Sequence, residues 1–181
     1  SLETFLRLIG LFRRGNQNAK DFVLKQLPLA FERLPEGLDG FRILHVSDLH
    51  IGKREPDFPR RVRDFLATVS VDLCVLTGDS RFEHHGDYDH VIEGMRTIVS
   101  QVRARHGVLG VLGNHDRSQF VEPFRELGIQ VLINEHVRIT HNGAELWVAG
   151  VDDSHLFRCD HLPVALEGVP EEAFKLVLSH T

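Results

Sequence analysis

Acidic, amide and imidazole side chains follow directly after four apolar runs of this sequence. The residues at these four points are Asp48 with His50, Asp79, Asn114, and His180. Such oxygen and nitrogen ligands, without a thiolate, suit Mn²⁺, Fe, Zn²⁺ or Mg²⁺. Asp48 and His50 are two residues apart, so in an extended segment they point the same way and can bind one ion. Asp79 has two carboxylate oxygens and can bridge two ions. The residues therefore predict a metal site.

Alternating strands and helices are predicted from Phe41 onward, and they would position these ligands. Apolar runs and alternation predict strands over 41–47, 72–77, 108–112, 129–133, 137–140, 145–151 and 174–179. Helical spacing predicts helices over 59–69, 88–105, 118–127 and 154–166. The Asn142-Gly143 pair indicates an antiparallel hairpin. We therefore expect a layered α/β domain with mixed sheets, whose metal site lies at the carboxyl ends of strands.

The motifs, taken together, resemble one known family. Asp48-x-His50, Gly78-Asp79, the run from Gly113 to Asp116, and His180 stand in the order and at the spacing of calcineurin-like metallophosphoesterases. The likeness extends from about Phe41 to the end of the chain. It implies a layered α/β-β/α sandwich. Among the family's branches, the segments look most like bacterial membrane-associated phosphodiesterases.

The resemblance also implies a dinuclear centre with two divalent ions, of Mn²⁺, Fe, Zn²⁺ or Mg²⁺. Asp48 and His50 would bind the first ion, Asp79 would bridge, and Asn114 and His180 would bind the second. A hydroxide held between the two ions would then attack phosphorus in line.

Three further residues receive roles in this picture. His115 would protonate the leaving oxygen or stabilise the phosphate charge. Asp116 would orient the His115 imidazole, with capping of the helix from Ser118 as an equal alternative. Arg81 could bind a substrate phosphate, against the alternative of a solvated or salt-bridged arginine.

The family's closing Gly-His-x-His motif does not occur in this sequence. We therefore expect a C-terminally truncated enzyme whose final strands are missing, with an intrinsically shortened protein as the alternative. The predicted activity is metal-dependent hydrolysis of a phosphodiester, phosphomonoester or pyrophosphate. The alternative function is a catalytically weak metal-binding or scaffolding module. An amidohydrolase is disfavoured, because the turn from Gly113 to Asp116 places an amide oxygen and an acid histidine together, as phosphate chemistry needs.

Other polar residues near this edge have weaker claims. His84, His85 and His90 could hold a third metal or form a lid, but surface histidines are the favoured interpretation. Asp152 and Asp153 are expected to cap the following helix in preference to binding metal.

Composition limits the remaining choices. A chain of 181 residues favours one domain, here 41–181, preceded by a helical segment over 1–40. Residues 2–14 have apolar side chains at helical spacing with arginines, so they could contact a membrane surface, although packing on the domain itself is favoured.

A net charge of −5 argues against nucleic acid as a partner, and the expected substrate is a phosphorylated small molecule or a lipid-linked one. Two cysteines give no disulfide framework, which favours a cytoplasmic location, with the inner face of the membrane as the place for residues 2–14 to bind.

Overall fold

The computed structural model describes residues 21–83, 85–154 and 156–180, together with Phe5, Leu11 and Gly15. The helix predicted over residues 2–14 therefore lies almost entirely outside the described residues, as does His84. Within the described part of the chain, no helix is both long and apolar enough to span a membrane. The predicted division into 1–40 and 41–181 stays a prediction.

A four-stranded parallel sheet forms the centre of the fold. Its strands are β1 (Ile43–Val46), β3 (Leu73–Thr77), β5 (Val108–Val111) and β6 (Ile129–Val131), in the order β1-β3-β5-β6. All five residues of β3 are buried, which explains why this segment is a continuous apolar run. Since the strands are parallel, the loops that follow them lie along the same edge of the sheet.

A second, mixed sheet packs on one face of the first. It consists of β7 (Glu135–His141), β8 (Ala144–Gly150) and β9 (Lys175–Leu178). Strands β7 and β8 are antiparallel, and β8 and β9 are parallel. Asn142 and Gly143 both have positive φ, as a two-residue hairpin turn requires. A separate pair, β2 (Ser70–Val71) and β4 (Arg103–Ala104), is parallel.

Helices cover the other face of the parallel sheet. They are α1 (Phe58–Leu66), α2 (Asp89–Val99), and α3 (Val121–Glu126), which follows a 3₁₀ turn over Ser118–Phe120. A short helix, α4 (Leu162–Ala165), packs on the second sheet. Residues Glu36–Leu38 form a 3₁₀ turn. One apolar core lies between the helices and the parallel sheet, and another lies between the two sheets. The layered α/β class with mixed sheets is thus confirmed.

Two helix predictions were wrong in extent. The helix predicted over 154–166 is reduced to α4, because the Asp153 carboxylate accepts hydrogen bonds from Leu156 N and Phe157 N and fixes a non-helical turn. Pro163 lies in the first turn of α4, where the missing N–H costs nothing, and so does not break it. Helix α2 ends at Val99 rather than continuing to 105, because β4 pairs with β2 from Arg103.

The aromatic core beneath α2 and α3 gives a test of the packing. Phe120 is fully buried, with its ring 5.1 Å from Tyr88 and 5.6 Å from Phe124. We expect Phe120→Ala to lower the free energy of unfolding by about 3–5 kcal/mol, measured by urea denaturation. Phe157→Ala is the control, since this ring is 57% exposed, and its expected change is within about 0.5 kcal/mol. Equal losses in both variants would contradict the packing described.

Candidate metal centre

The centre is built around the carboxylate of Asp79. The chain leaves β3 through Gly78, and Asp79 itself has φ of 53° and is only 4% exposed. Three imidazole Nε2 atoms surround its carboxylate: those of His180 at 3.5 Å, His50 at 3.7 Å and His115 at 3.9 Å. A buried carboxylate in a cage of imidazoles is the arrangement expected of a shared metal ligand.

The three imidazoles are oriented by the backbone. Each has its Nδ1 atom within 2.7–3.2 Å of a backbone carbonyl oxygen; for His50, His115 and His180 in turn, these oxygens belong to Arg81, Phe82 and Thr77. A carbonyl oxygen only accepts, so Nδ1 is the protonated nitrogen and donates to it. The Nε2 lone pair is then directed toward Asp79. Backbone orientation of this kind is typical of metal-binding histidines.

Two groups of ligand atoms share Asp79. One group is His50, Asp79 and His115, and the other is Asp48, Asp79 and His180, with the atoms of each group within 4.8 Å of one another. Asn114 Oδ1 lies 3.2 Å from His180 Nε2 and thus joins the second group.

The structure therefore brings together all five residues predicted as metal ligands, and it adds His115 to them. The division between the groups differs from the one that the resemblance implies, because Asp48 groups with His180 rather than with His50. Asp48 Oδ1 is nevertheless only 3.6 Å from His50 Nε2. The ligand assignment itself stays a prediction.

The donor set fits divalent cations. Its carboxylate–imidazole separations of 3.5–3.9 Å exceed hydrogen-bonding distance. Atoms that each lie about 2.1 Å from one cation are roughly 3–3.5 Å apart, so a small contraction would close the site on an ion. The mixture of carboxylate, amide and imidazole suits the metals predicted from the sequence and does not distinguish among them.

Unusual backbone geometry places these side chains. Asp48, His50 and Asp79 all have φ between 43° and 55°, a region that residues other than glycine seldom occupy. The two loops are joined by hydrogen bonds from Asp48 N to the Gly78 carbonyl (3.1 Å) and from His50 N to the Asp79 carbonyl (2.9 Å). The ligands are thus held by paired backbone rather than by long flexible side chains.

Two glycines let the loops after β3 and β5 touch. A Cβ on Gly113 would collide with the backbone nitrogen and a carboxylate oxygen of Asp79, and a Cβ on Gly78 would collide with the backbone of Gly113. In the native contact, His115 N donates to Asp79 Oδ1 at 2.9 Å. The close approach of these loops is what forms the centre.

Asp116 fastens the same two loops together. It is 2% exposed, and its carboxylate accepts hydrogen bonds from Ser80 N (3.0 Å) and Gly113 N (3.2 Å). Burial raises its pKa to about 6, with the nearby Asp79 charge adding to the rise and the Gly113 N–H opposing it. The capping role for Asp116 was wrong, because the turn from Ser118 has Arg117 as its N-cap and no side-chain cap. Its role in orienting His115 stays a prediction.

Arg81 lies inside the protein. It is 1% exposed, and its Nη2 atom donates to the Gly86 carbonyl at 2.9 Å, which anchors the loop after Asp79. It is therefore not the solvated arginine of the alternative interpretation. Phosphate binding by Arg81 stays a prediction.

His85 and His90, the described members of the histidine group considered for a third metal, each contact a charged or basic side chain. His85 Nδ1 is 3.0 Å from Arg117 Nη2, and His90 Nε2 is 3.1 Å from Glu83 Oε2. The expectation that Asp152 and Asp153 cap the following helix was wrong, because the N-cap of α4 is His161, whose side chain accepts a hydrogen bond from Val164 N.

Sequence reasoning missed a cleft of about 670 Å³ beside the centre. It includes Asn114 and His115 and is walled in part by the side chains of Leu156 and Phe157. The only sequence signal for it was this apolar pair in a segment otherwise rich in polar residues.

The fold and this geometry agree with comparisons to known proteins. A sequence model of the family described as calcineurin-like phosphoesterase matches residues 41–176, so the chain belongs to that family. Three relatives show the family's range. The first is a bovine (Bos taurus) transmembrane protein with metallophosphoesterase domain, 31% identical over 98% of this chain and 42% of its own.

The other two relatives carry more specific names. UDP-2,3-diacylglucosamine pyrophosphatase LpxG of Chlamydia trachomatis is 33% identical over 46% of this chain and 25% of its own. The DNA double-strand break repair protein Mre11 of Methanosarcina acetivorans is 25% identical over 77% of this chain and 25% of its own. The chain thus spans less than half the length of each of these three relatives.

The contact between Gly113 and Asp79 predicts the effect of one methyl group. We expect Gly113→Ala to displace the Asp79 carboxylate, lower the melting temperature, and weaken Mn²⁺ binding by at least about tenfold, measured by isothermal titration calorimetry. Gly110→Ala is the control, since its Cβ would meet a side-chain atom of Ile129 at 3.2 Å, away from the ligands. It should lower stability without changing Mn²⁺ affinity. Unaltered Mn²⁺ binding by Gly113→Ala would contradict the geometry of the centre.

The raised pKa of Asp116 predicts a pH dependence of stability. Between about pH 4 and 6, the folded metal-free chain retains a proton on Asp116 that the unfolded chain has lost. The free energy of unfolding should therefore fall as the pH rises through this range, by up to about 1.4 kcal/mol per pH unit. Urea denaturation with chelator present should show a smaller fall for Asp116→Asn. The exposed-acid control Asp64→Asn should match the wild type, and equal slopes in all three proteins would argue against a buried titrating Asp116.

Proposed function

We propose that this chain hydrolyses phosphoester or pyrophosphate bonds with two divalent cations bound on either side of Asp79. The observation that carries the proposal is the Asp79 carboxylate shared by two groups of ligand atoms. Membership of the calcineurin-like phosphoesterase family supports the same reaction class. Bound cations would supply Lewis-acid activation of the phosphate and neutralise charge in the transition state.

The protein's own residues would position the substrate and move a proton. Asn114 and His115 of the centre also line the cleft, so a phosphate at the centre would have room there for one of its substituents. His115 is 19% exposed, and its Nδ1 is held by the Phe82 carbonyl, which fixes the direction of its Nε2. If the first ion is held by Asp48, His50 and Asp79, as the resemblance implies, His115 in its protonated form would donate its Nε2 proton to the leaving oxygen.

The substrate we propose is a phosphorylated small molecule or a lipid-linked phosphate. The relative named as a UDP-2,3-diacylglucosamine pyrophosphatase supports this class, whereas the relative named as a DNA repair protein points to nucleic acid. The net charge of −5 favours the former, since phosphate backbones bind basic surfaces. We further propose a cytoplasmic location, which the lack of a disulfide framework supports, with the inner face of a membrane as the place where residues 2–14 would bind.

Removal of the shared ligand tests the reaction. With Mn²⁺ present, we expect turnover of bis-p-nitrophenyl phosphate by the wild type. In Asp79→Asn, turnover should fall on the order of 10²-fold or more, with fewer ions bound, because one ligand group meets an amide NH₂ that cannot bind a cation and the other keeps only a neutral amide oxygen. Asp64→Asn, on the exposed face of α1, should keep full activity. Metal binding without turnover by the wild type would contradict the proposed hydrolytic activity and favour a metal-binding module.

A series of leaving groups tests the part played by His115. If His115 donates a proton to the leaving oxygen, His115→Ala should slow an alkyl or phenyl ester much more than a p-nitrophenyl ester, whose leaving group needs little protonation. The difference should be on the order of 10²-fold in kcat. Equal slowing of all esters would instead make His115 a metal ligand, and a loss of bound metal measured by elemental analysis would agree with that outcome.

A further inference from the structure

We infer that the cleft beside the centre is a binding site for an apolar substituent of the phosphorylated substrate, with Leu156 and Phe157 as its specificity-determining wall. This inference rests on the proposed function, and it extends that function from the phosphate to the group attached to it.

Most of the exposed lining of the cleft is apolar, although polar residues such as Asn114, Arg117 and Asp152 also line it. Its apolar side chains are those of the buried Leu112, the half-buried Ile133, and the exposed Leu156 and Phe157. The last two side chains are 58% and 57% exposed, a large apolar area to leave in water. A volume of about 670 Å³ lies within the range of small-molecule sites. An acyl, alkyl or aryl group would remove this apolar surface from water.

The Leu156–Phe157 wall is held in place by buried polar contacts. Asp153 is 1% exposed, and its Oδ2 atom accepts hydrogen bonds from Leu156 N (2.7 Å) and Phe157 N. Cys159 N donates to the Asp153 carbonyl at 3.0 Å.

Asn134, in the bend just before β7, secures the same loop. Its Nδ2 donates to the Cys159 carbonyl (2.9 Å), and its Oδ1 accepts from Asp152 N (3.3 Å) and His161 N (2.7 Å). The apolar pair is thus presented by a loop tied at both of its ends, which is the preorganisation that a binding site requires.

The cleft adjoins the metal centre, and this limits the kind of phosphoester that would fit both. Asn114 and His115 belong both to the metal centre and to the lining of the cleft. A phosphate at the centre would therefore direct one substituent into the cleft. A phosphoester with an apolar group close to phosphorus fits this arrangement, and a wholly polar substituent would leave the Leu156–Phe157 wall in water.

Alkylphosphonates of increasing length test the inference by binding, without need of turnover. Methyl-, butyl- and octylphosphonate would be titrated into the Mn²⁺-loaded chain by calorimetry. Burial of methylenes predicts an affinity gain on the order of threefold for each of the first few, so butylphosphonate should bind at least about tenfold more tightly than methylphosphonate. The double variant Leu156→Ser/Phe157→Ser should lose most of this gain while binding methylphosphonate as the wild type does.

The matched control is Leu29→Ser/Phe31→Ser, which changes two exposed side chains of the same types outside the cleft. It should keep the full dependence on chain length. Affinity independent of chain length, a dependence unchanged in the Leu156→Ser/Phe157→Ser variant, or no binding of any alkylphosphonate would each overturn the inference. Turnover of bis-p-nitrophenyl phosphate by the same protein reports separately on the proposed function.

Discussion

The burial of the Asp79 carboxylate is the constraint on which the rest of the site depends. A carboxylate at 4% exposure loses most of its hydration, and the loss is large unless charges or hydrogen bonds replace it. Among the described residues, the N–H of His115 points at it directly. The surrounding imidazoles lie too far away for hydrogen bonds, and the neighbouring Asp48 and Asp116 add negative charge. Divalent cations between these groups would resolve the imbalance, which is why the geometry indicates a metal centre and not a set of ion pairs.

Strand register brings the loops to this point. In the parallel sheet Val46 pairs with Leu76, and Thr77 pairs with Val111. The first residues after each strand therefore stand side by side. Strand β9 joins the same edge through the second sheet, since Gly150 pairs with Leu178, and it delivers His180 two residues later. Backbone pairing alone thus places four loops at one edge, and the glycines at 78 and 113 permit the last approach.

The sequence allowed prediction of those features that depend on local pattern. Each predicted ligand follows an apolar run, so the alternation of strands and helices was sufficient to place Asp48, Asp79 and Asn114 at one edge. The layered fold followed from the same pattern and is confirmed. The hairpin could be predicted because Asn142-Gly143 provides the positive φ angles that its turn needs.

Features that depend on contacts distant in sequence could not be predicted in this way. Asp116 joins Ser80 across 36 residues, and nothing in the periodicity around Asp116 indicates that partner. Asp153 illustrates the same limit at short range: the residues after it have helical spacing, but a buried carboxylate with two backbone donors outweighs the weak helix propensity of that segment. The turn, and not a helix over 154–166, therefore sets where Leu156 and Phe157 enter the lining of the cleft.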